Sequence, residues 1–336
     1  MNYQQNLQHS LTQKTSSLQS KSPAHVGQYV YDEKKIHAVM KAGTRAMGYD
    51  PSGCRTQSGM YAYDWDFAGR LSHTKIGGET VGRYWYNESR MRTLKEEQGI
   101  LSMYPFEDFR IVDGQVSLLI KHGYHLVAEW RSPKMLAQIY DDLVPDQVIN
   151  AADAWLYHAT RLQIVNKKLK VRPVDVDLTR SMLQAGLSRL LDGDGDKLYT
   201  LHTDHLGSVR QVTDSVGQVI HKKRYYPYGA LQAKSGAFRT LDFQGKEKDL
   251  LTGNHYFGAR YMNARLGQWL SPDPAFERAQ GPNDEWNGYA KVLNNPLRYR
   301  DQDGYFMEEA TATAMVLGTA MSLAYAIGFG DASSSS

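Results

Sequence analysis

Four groups of side chains in this 336-residue chain have the types and spacing to do chemistry. His202, Asp204 and His205 place three potential metal ligands close together. In a strand, His202 and Asp204 share one face while His205 points away, so the three converge only around a bend. Hydrogen-bonded structural roles are therefore expected for them, and neither a metal nor a cofactor. Asp142, Asp146, Asn150 and Asp153 occupy positions 1, 5, 9 and 12 of an EF-type loop, and Asp192, Asp194 and Asp196 begin a second. The first lacks a ligand at position 3, the Gly at 6 and the closing Glu, and the second has Lys197 where Gly belongs. A helix cap and a Gly–Asp turn describe them better. Cys54 is the single cysteine, which excludes an intramolecular disulfide framework and a Cys-rich zinc site. An isolated Cys is more often packed than nucleophilic. The fourth group is a pair of Asp-centred punctuations, Asp273 in SPDP and Asp301 to Gly304 in DQDG. They close the Tyr- and Gly-rich run Tyr199 to Phe306.

These groups need a scaffold, and composition points to β-structure. Twenty-two Tyr and six Trp suit a pleated, half-buried surface, and 29 Gly supply turns with positive φ. A net charge of +3 from 39 basic and 36 acidic residues, without a basic block, argues against nucleic acid as an obligatory partner. No cationic stretch followed by an apolar one opens the chain, so export is expected by a route other than Sec, to the medium or the cell surface.

Residues 1–28 are rich in Gln, Ser and Thr and are expected to be a disordered lead. Residues 29–131 carry a degenerate repeat: Tyr49-Asp50-Pro51-Ser52-Gly53, then Tyr63-Asp64-Trp65-Asp66 with Gly69-Arg70-Leu71, then Tyr84-Trp85-Tyr86-Asn87 with Arg90. Each unit can hold a hairpin with its Asp/Asn–Gly corner as the turn, and such units stack into one shared core. Residues 132–198 place apolar side chains at helical spacing and are expected to be a small helical insertion. Residues 199–306 return to short strands, with a hairpin at Asp214 to Gly217 and the ribbon ending at Pro227-Tyr228-Gly229. Residues 307–336 form an apolar helical tail. Its uncharged run Ala310 to Gly330 is long enough to cross a bilayer, and equally reads as the start of a buried helix.

The segments HTDHLGSVRQVTDSVGQV, RYYPYG, GKEKDLLTGNHYFGARYM, LGQWLSPDP and NNPLRYRDQDGYF resemble, in this order, the Rhs repeat-associated core domain. The upstream Tyr–Asp units resemble the YD repeats that precede that core. The resemblance implies a mainly β fold, a coiled YD-repeat β-ribbon forming part of a shell and ending in a core plug. It implies relatives that include Rhs-type polymorphic toxins and the C component of Tc toxin complexes. In that family the core cuts its own chain and frees a C-terminal effector inside the shell. The partners so implied are the chain's own C-terminal segment and other shell or secretion-system proteins, with membrane contact through Ala310 to Gly330 if that run inserts. Thirty residues after Phe306 are too few for a toxin domain, so the chain is expected to be a segment of a longer protein or a carrier that has lost its cargo.

The family's cutting site resembles an aspartic protease, with two Asp and a supporting Arg. Carried over by motif, these are Asp273, Asp301 and Arg260, and the bond to be cut is Tyr305–Phe306. Two close carboxylates share a proton, so one can activate water while the other polarises the amide. An Arg fork fixes a carboxylate's direction. Two departures matter. Asp273 is followed by Pro274-Ala275-Phe276, and Gln302 stands where the family has proline, which frees φ and makes Asp303 a rival to Asp301. The alternative is a YD-repeat surface or carbohydrate-binding module without catalysis, its aromatic faces stacking on sugars.

Overall fold

A computed structural model describes residues 2–5, 11–15, 25–32, 37–123, 125–135, 197–274, 287–305 and 307–309. Among these, eighteen strands run from Asn2–Gln5 to Leu231–Ser235 and form one sheet. Each pairs antiparallel with the next in the chain, so the sheet is a continuous meander.

The corners of this ribbon are built alike. Asp50 Oδ1 accepts the Cys54 N–H at 2.8 Å, Asp66 Oδ1 accepts those of Ala68 and Arg70, and Asn87 Oδ1 accepts that of Met91. Asp204 and Asp214 do the same for Ser208 and Gln218. A short carboxylate or amide satisfies turn amides that no strand can reach, which is why these residue types recur at the corners. The fourth residue of each corner has positive φ, and at the Asn87 corner it is Arg90, at 64°. The expectation of hairpins closed at Asp/Asn–Gly corners is met at Asp50, Asp66 and Asp214, while the hairpin at Asn87 closes with Arg90 in place of Gly.

Three expectations fail. Within the expected disordered lead, Asn2–Gln5 and Leu11–Thr15 are paired strands, and Leu11 is buried with Val26, Tyr29, Tyr228 and Leu266. The apolar surface that covers Leu11 comes from distant parts of the chain, so local composition understates how much it can bury. The ribbon also does not end at Gly229: the strand Leu231–Ser235 follows, paired with Val219–Tyr225 and mostly exposed. The bounds expected for the 132–198 insertion also fail, because His125–Met135 and Lys197–Thr203 are adjacent strands with Arg131 opposite Lys197. The expected helices, both EF-like loops and the apolar run Ala310 to Gly330 lie outside the described residues. Among the described residues no helix is long and apolar enough to cross a membrane.

Against the ribbon packs a small core: a four-stranded sheet of Glu247–Lys248, Asn254–Tyr256, Tyr261–Asn263 and Gln268–Trp269, and a two-stranded one of Tyr299–Asp301 and Met307–Glu309. Tyrosines make the seam. Tyr29 donates to the Leu266 carbonyl at 2.7 Å, Tyr61 to that of Leu251 at 2.8 Å, and core residue Tyr289 back to Gly53 at 2.7 Å. A ring that packs as an apolar body and a hydroxyl that reaches a loop carbonyl suit a ribbon covering turns rather than strands.

The seam also buries an ionic network. Arg92 Nη2 meets Glu247 at 2.8 Å, and Lys95 Nζ meets Glu247 at 2.5 Å, Glu97 at 3.2 Å and Asp249 at 3.3 Å. Arg92 also donates to the Tyr261 hydroxyl. Buried charges survive only when paired in this way.

Candidate active site

Arg260 ends the turn that starts at Phe257, whose N–H donates to the Arg260 carbonyl at 2.9 Å. Its guanidinium lies 4.3 Å from the centre of the buried Trp269 ring and is 3% exposed. One nitrogen, Nη2, meets Asp273 Oδ2 at 3.0 Å and Asp301 Oδ2 at 3.6 Å. Nη1 donates to the Gly288 carbonyl at 3.2 Å and Nε to the Gly304 carbonyl at 2.5 Å. The fork thus holds both carboxylates and two backbone oxygens, a task its planar set of donors fits and a lysine's does not.

The segment Asp301 to Gly304 is locked onto the Gly258-Ala259-Arg260 turn. Asp301 Oδ1 accepts the Gly304 N–H at 2.7 Å, and the Ala259 N–H donates to the Asp303 carbonyl at 2.9 Å. The approach requires glycine on both sides. A Cβ on Gly258 would stand 3.0 Å from the Asp303 carbonyl oxygen, and one on Gly304, at φ +83°, would stand 3.0 Å from the Arg260 nitrogen. Proline at position 302 is therefore not needed to aim Asp301, because the Gly304 amide and Arg260 do so. Asp303 is exposed, and its Oδ1 accepts the Tyr305 N–H at 2.9 Å.

The two carboxylates differ in surroundings. Asp301 is 5% exposed, and burial pushes its pKa up against the pull of Lys291, Arg260 and the Gly304 amide. Asp273 is 23% exposed and so open to water. Tyr305 is half-buried, while Phe306 lies outside the described residues. Met307 pairs with Asp301 across the two-stranded sheet, which puts the Tyr305–Phe306 bond in the loop joining its strands.

Sequence reasoning missed Lys291. It is fully buried, its Nζ 3.8 Å from the Phe257 ring centre and 4.6 Å from that of Trp269. Its one signal in the sequence is a cation inside the otherwise apolar stretch Tyr289 to Leu293. The His202, Asp204 and His205 trio does not converge. His202 Nε2 is 3.2 Å from the Thr213 hydroxyl, Asp204 caps its corner, and His205 Nε2 is 3.0 Å from the Leu297 carbonyl. Among the described residues no His/Cys/Asp/Glu group is arranged to hold a metal ion. Cys54 is buried.

A meandering ribbon with Asp/Asn corners, wrapped by tyrosine contacts onto a small Gly-rich core, is a shell segment of the Rhs/YD-repeat kind. Residues 188–297 match the family model of the Teneurin YD-shell. The toxin subunit YenC2 of Yersinia entomophaga is 42% identical over 97 residues, 27% of this chain and 9% of that one. The double-stranded DNA deaminase toxin A of Burkholderia cenocepacia is 32% identical over 240 residues, 67% of this chain and 15% of that one. Among solved structures, the TcdB2–TccC3 crystal structure superposes with a TM-score of 0.53 at 18% identity, covering 90% of this chain and 16% of that one. A Photorhabdus luminescens Tc holotoxin pore gives 0.53 at 17% identity over 92% of this chain and 15% of that one. These structural likenesses show the fold alone. The chain spans about a tenth of the length of the toxin subunits that it matches, 9% of one and 11% of the other.

Proposed function

We propose that this chain is the closing part of the shell of an Rhs-type polymorphic toxin, and that its core cuts the Tyr305–Phe306 bond to free whatever follows. The observation that carries the proposal is the single Arg260 nitrogen lying between Asp273 and Asp301 while Nε of the same guanidinium grips Gly304, the residue before Tyr305.

Asp273, the wetter carboxylate, takes a proton from a water molecule whose oxygen attacks the Tyr305 carbonyl carbon. Asp301, buried and with its pKa raised, gives its proton to the carbonyl oxygen. Collapse of the tetrahedral diol breaks the C–N bond. Asp273 passes its proton to the Phe306 nitrogen while Asp301 takes one back from a diol hydroxyl, leaving a Tyr305 carboxyl group, which then ionises, and a free amine. Substrate and catalyst share one chain, so folding has already supplied the orientation that a bimolecular protease must gain on binding. In a full-length protein the freed segment would be the effector, held inside the shell.

Intact-mass measurement on the purified chain tests this. Cleavage after Tyr305 is expected in the wild type, and a single uncut mass in Asp301→Asn and in Asp273→Asn. A folded wild-type chain that keeps its full mass rules out the cut.

A further inference from the structure

The proposed chemistry leaves Lys291 without a task, although its placement is costly. The ammonium is fully buried, and its Nζ has no hydrogen-bond partner among the described residues. An unsatisfied buried charge is among the least favourable groups a fold can carry. Methionine has nearly the same length and would fill the slot between Phe257 and Trp269 without that desolvation. Packing therefore does not account for a lysine here.

The backbone that places it is strained as well. Val292, Leu293 and Asn294 have φ of 47°, 50° and 59°, a left-handed turn that a β-branched residue rarely enters. The buried Tyr228 hydroxyl holds this turn by donating to Asn294. Strain of this kind persists where the surroundings over-determine a position, which is common at functional sites. On the other side of Lys291, Ala290 bridges to Gln268, and the Trp269 N–H donates to the Tyr289 carbonyl at 3.0 Å. Those bonds set the ammonium over the same indole that Arg260 covers.

We infer that Lys291 is a positioning residue for the proposed cut, acting through Asp301: its buried charge sets the protonation of that carboxyl. The inference rests on the reading of Asp301 as the acid. The charged groups facing Lys291 are Asp301 and Arg260 in the site, Lys246 ahead of the four-stranded sheet and His255 within it. Asp303 faces Asp301, and Asp273 faces Arg260. Burial, aided by Arg260 and Lys246, brings Lys291 down to about 7 against the upward pull of Asp301. An ammonium paired with a carboxylate, and an amine paired with a carboxylic acid, hold the same number of protons. A proton given up by one of the pair can thus sit on the other, and the share on Asp301 is what the cut uses.

The test reads pH dependence rather than activity alone. The denatured chain is refolded by dilution across a pH series, and the cut fraction is followed in time. Without the ammonium, Asp301 keeps its proton to higher pH, so the alkaline limb of the rate profile should move up in Lys291→Met. With a permanent cation it should move down in Lys291→Arg. A second arm uses the Asp273→Asn chain with lysines carrying 13C at Cε. Lys291, identified by its absence from the Lys291→Met spectrum, should titrate near neutral pH, and adding Asp301→Asn should shift its midpoint lower. If Lys291→Met does not fold, Lys291 is identified as the lysine missing from Lys291→Arg, and this arm decides. A cut wild-type chain whose variants keep its profile, with a Lys291 midpoint indifferent to Asp301→Asn, overturns this inference and leaves the proposed function standing. A wild-type chain that stays whole overturns the cut, and any role for Lys291 in it.

Discussion

The Nε–H of Arg260 donates to the carbonyl oxygen of Gly304 at 2.5 Å, one residue before the bond assigned to cleavage. The same side chain that holds the two carboxylates also holds the backbone leading to that bond. For the proposed cut, one rigid fork would therefore register both carboxylates and the segment to be cut, with no separate binding step needed to align them.

Arg260→Lys should keep the charge and lose the registration. A lysine is a point charge and cannot hold Asp273, Asp301, Gly288 and Gly304 together. Misplacement of this kind costs about a hundredfold in rate, so a gel time course of refolded protein should show cutting slowed by about that factor. Wild-type cutting in Arg260→Lys would show that the fork is dispensable.

Gly304→Ala should impair both stability and cutting. The added methyl meets the Arg260 nitrogen at 3.0 Å, at a φ of +83°. Left-handed backbone costs an ordinary residue about 1–2 kcal/mol, and the clash displaces the Asp301 to Gly304 turn. Gly69→Ala is the control, with positive φ but nothing within 4 Å of the new Cβ. Urea unfolding should place Gly304→Ala below Gly69→Ala, and only the former should cut slowly.

Arg92→Met should loosen the seam between ribbon and core. The Arg92 side chain is 1% exposed, and its loss leaves Glu247 and Asp249 with only Lys95 between them. Breaking a buried pair from one side costs about 3–5 kcal/mol. Arg83, paired with Glu96 at 2.9 Å but 41% exposed, gives the comparison, since surface pairs contribute about 0–1 kcal/mol. Equal shifts in denaturation midpoint for the two variants would contradict the ranking.

Asp249→Asn should change how stability depends on pH. Burial first, then Glu97, pushes the Asp249 carboxyl up to about 7 from an ordinary 3.8, against Lys95 and Arg92. A carboxyl raised in the folded state contributes stability when protonated, and that contribution fades as pH rises from about 4 to about 7. Asp242 has the opposite sign. Burial opposes its ionisation, but Lys223 and Lys248 outweigh it and hold it down to about 2, so its contribution is lost only in acid. Melting temperatures across this range should fall less with rising pH in Asp249→Asn than in the wild type, and parallel curves would refute the assignment.

Much of this was legible in the residues. Tyr49-Asp50 and Tyr63-Asp64-Trp65-Asp66 announce hairpins because an Asx corner is a local device, complete within five residues. Arg260, Asp273 and Asp301 were nameable by motif, and the structure brings all three to one guanidinium. What local reading could not supply was partnership at a distance. Leu11 is buried by Tyr228 and Leu266, and Lys291 by Phe257 and Trp269, surfaces that no window around either residue contains. Asp301 is likewise held by partners that its own motif does not name together, the Gly304 amide and Arg260, whichever residue stands at position 302.

The pairing of Tyr299–Asp301 with Met307–Glu309 separates severance from departure. A cut at Tyr305–Phe306 falls in the loop between these strands and removes none of their three register pairs. After the proposed cut, Met307–Glu309 would keep its backbone pairing to the strand that carries Asp301. Under the proposed reading, the nicked product would remain seated until something peels that strand away, so release of the segment that follows would be set by strand exchange rather than by hydrolysis.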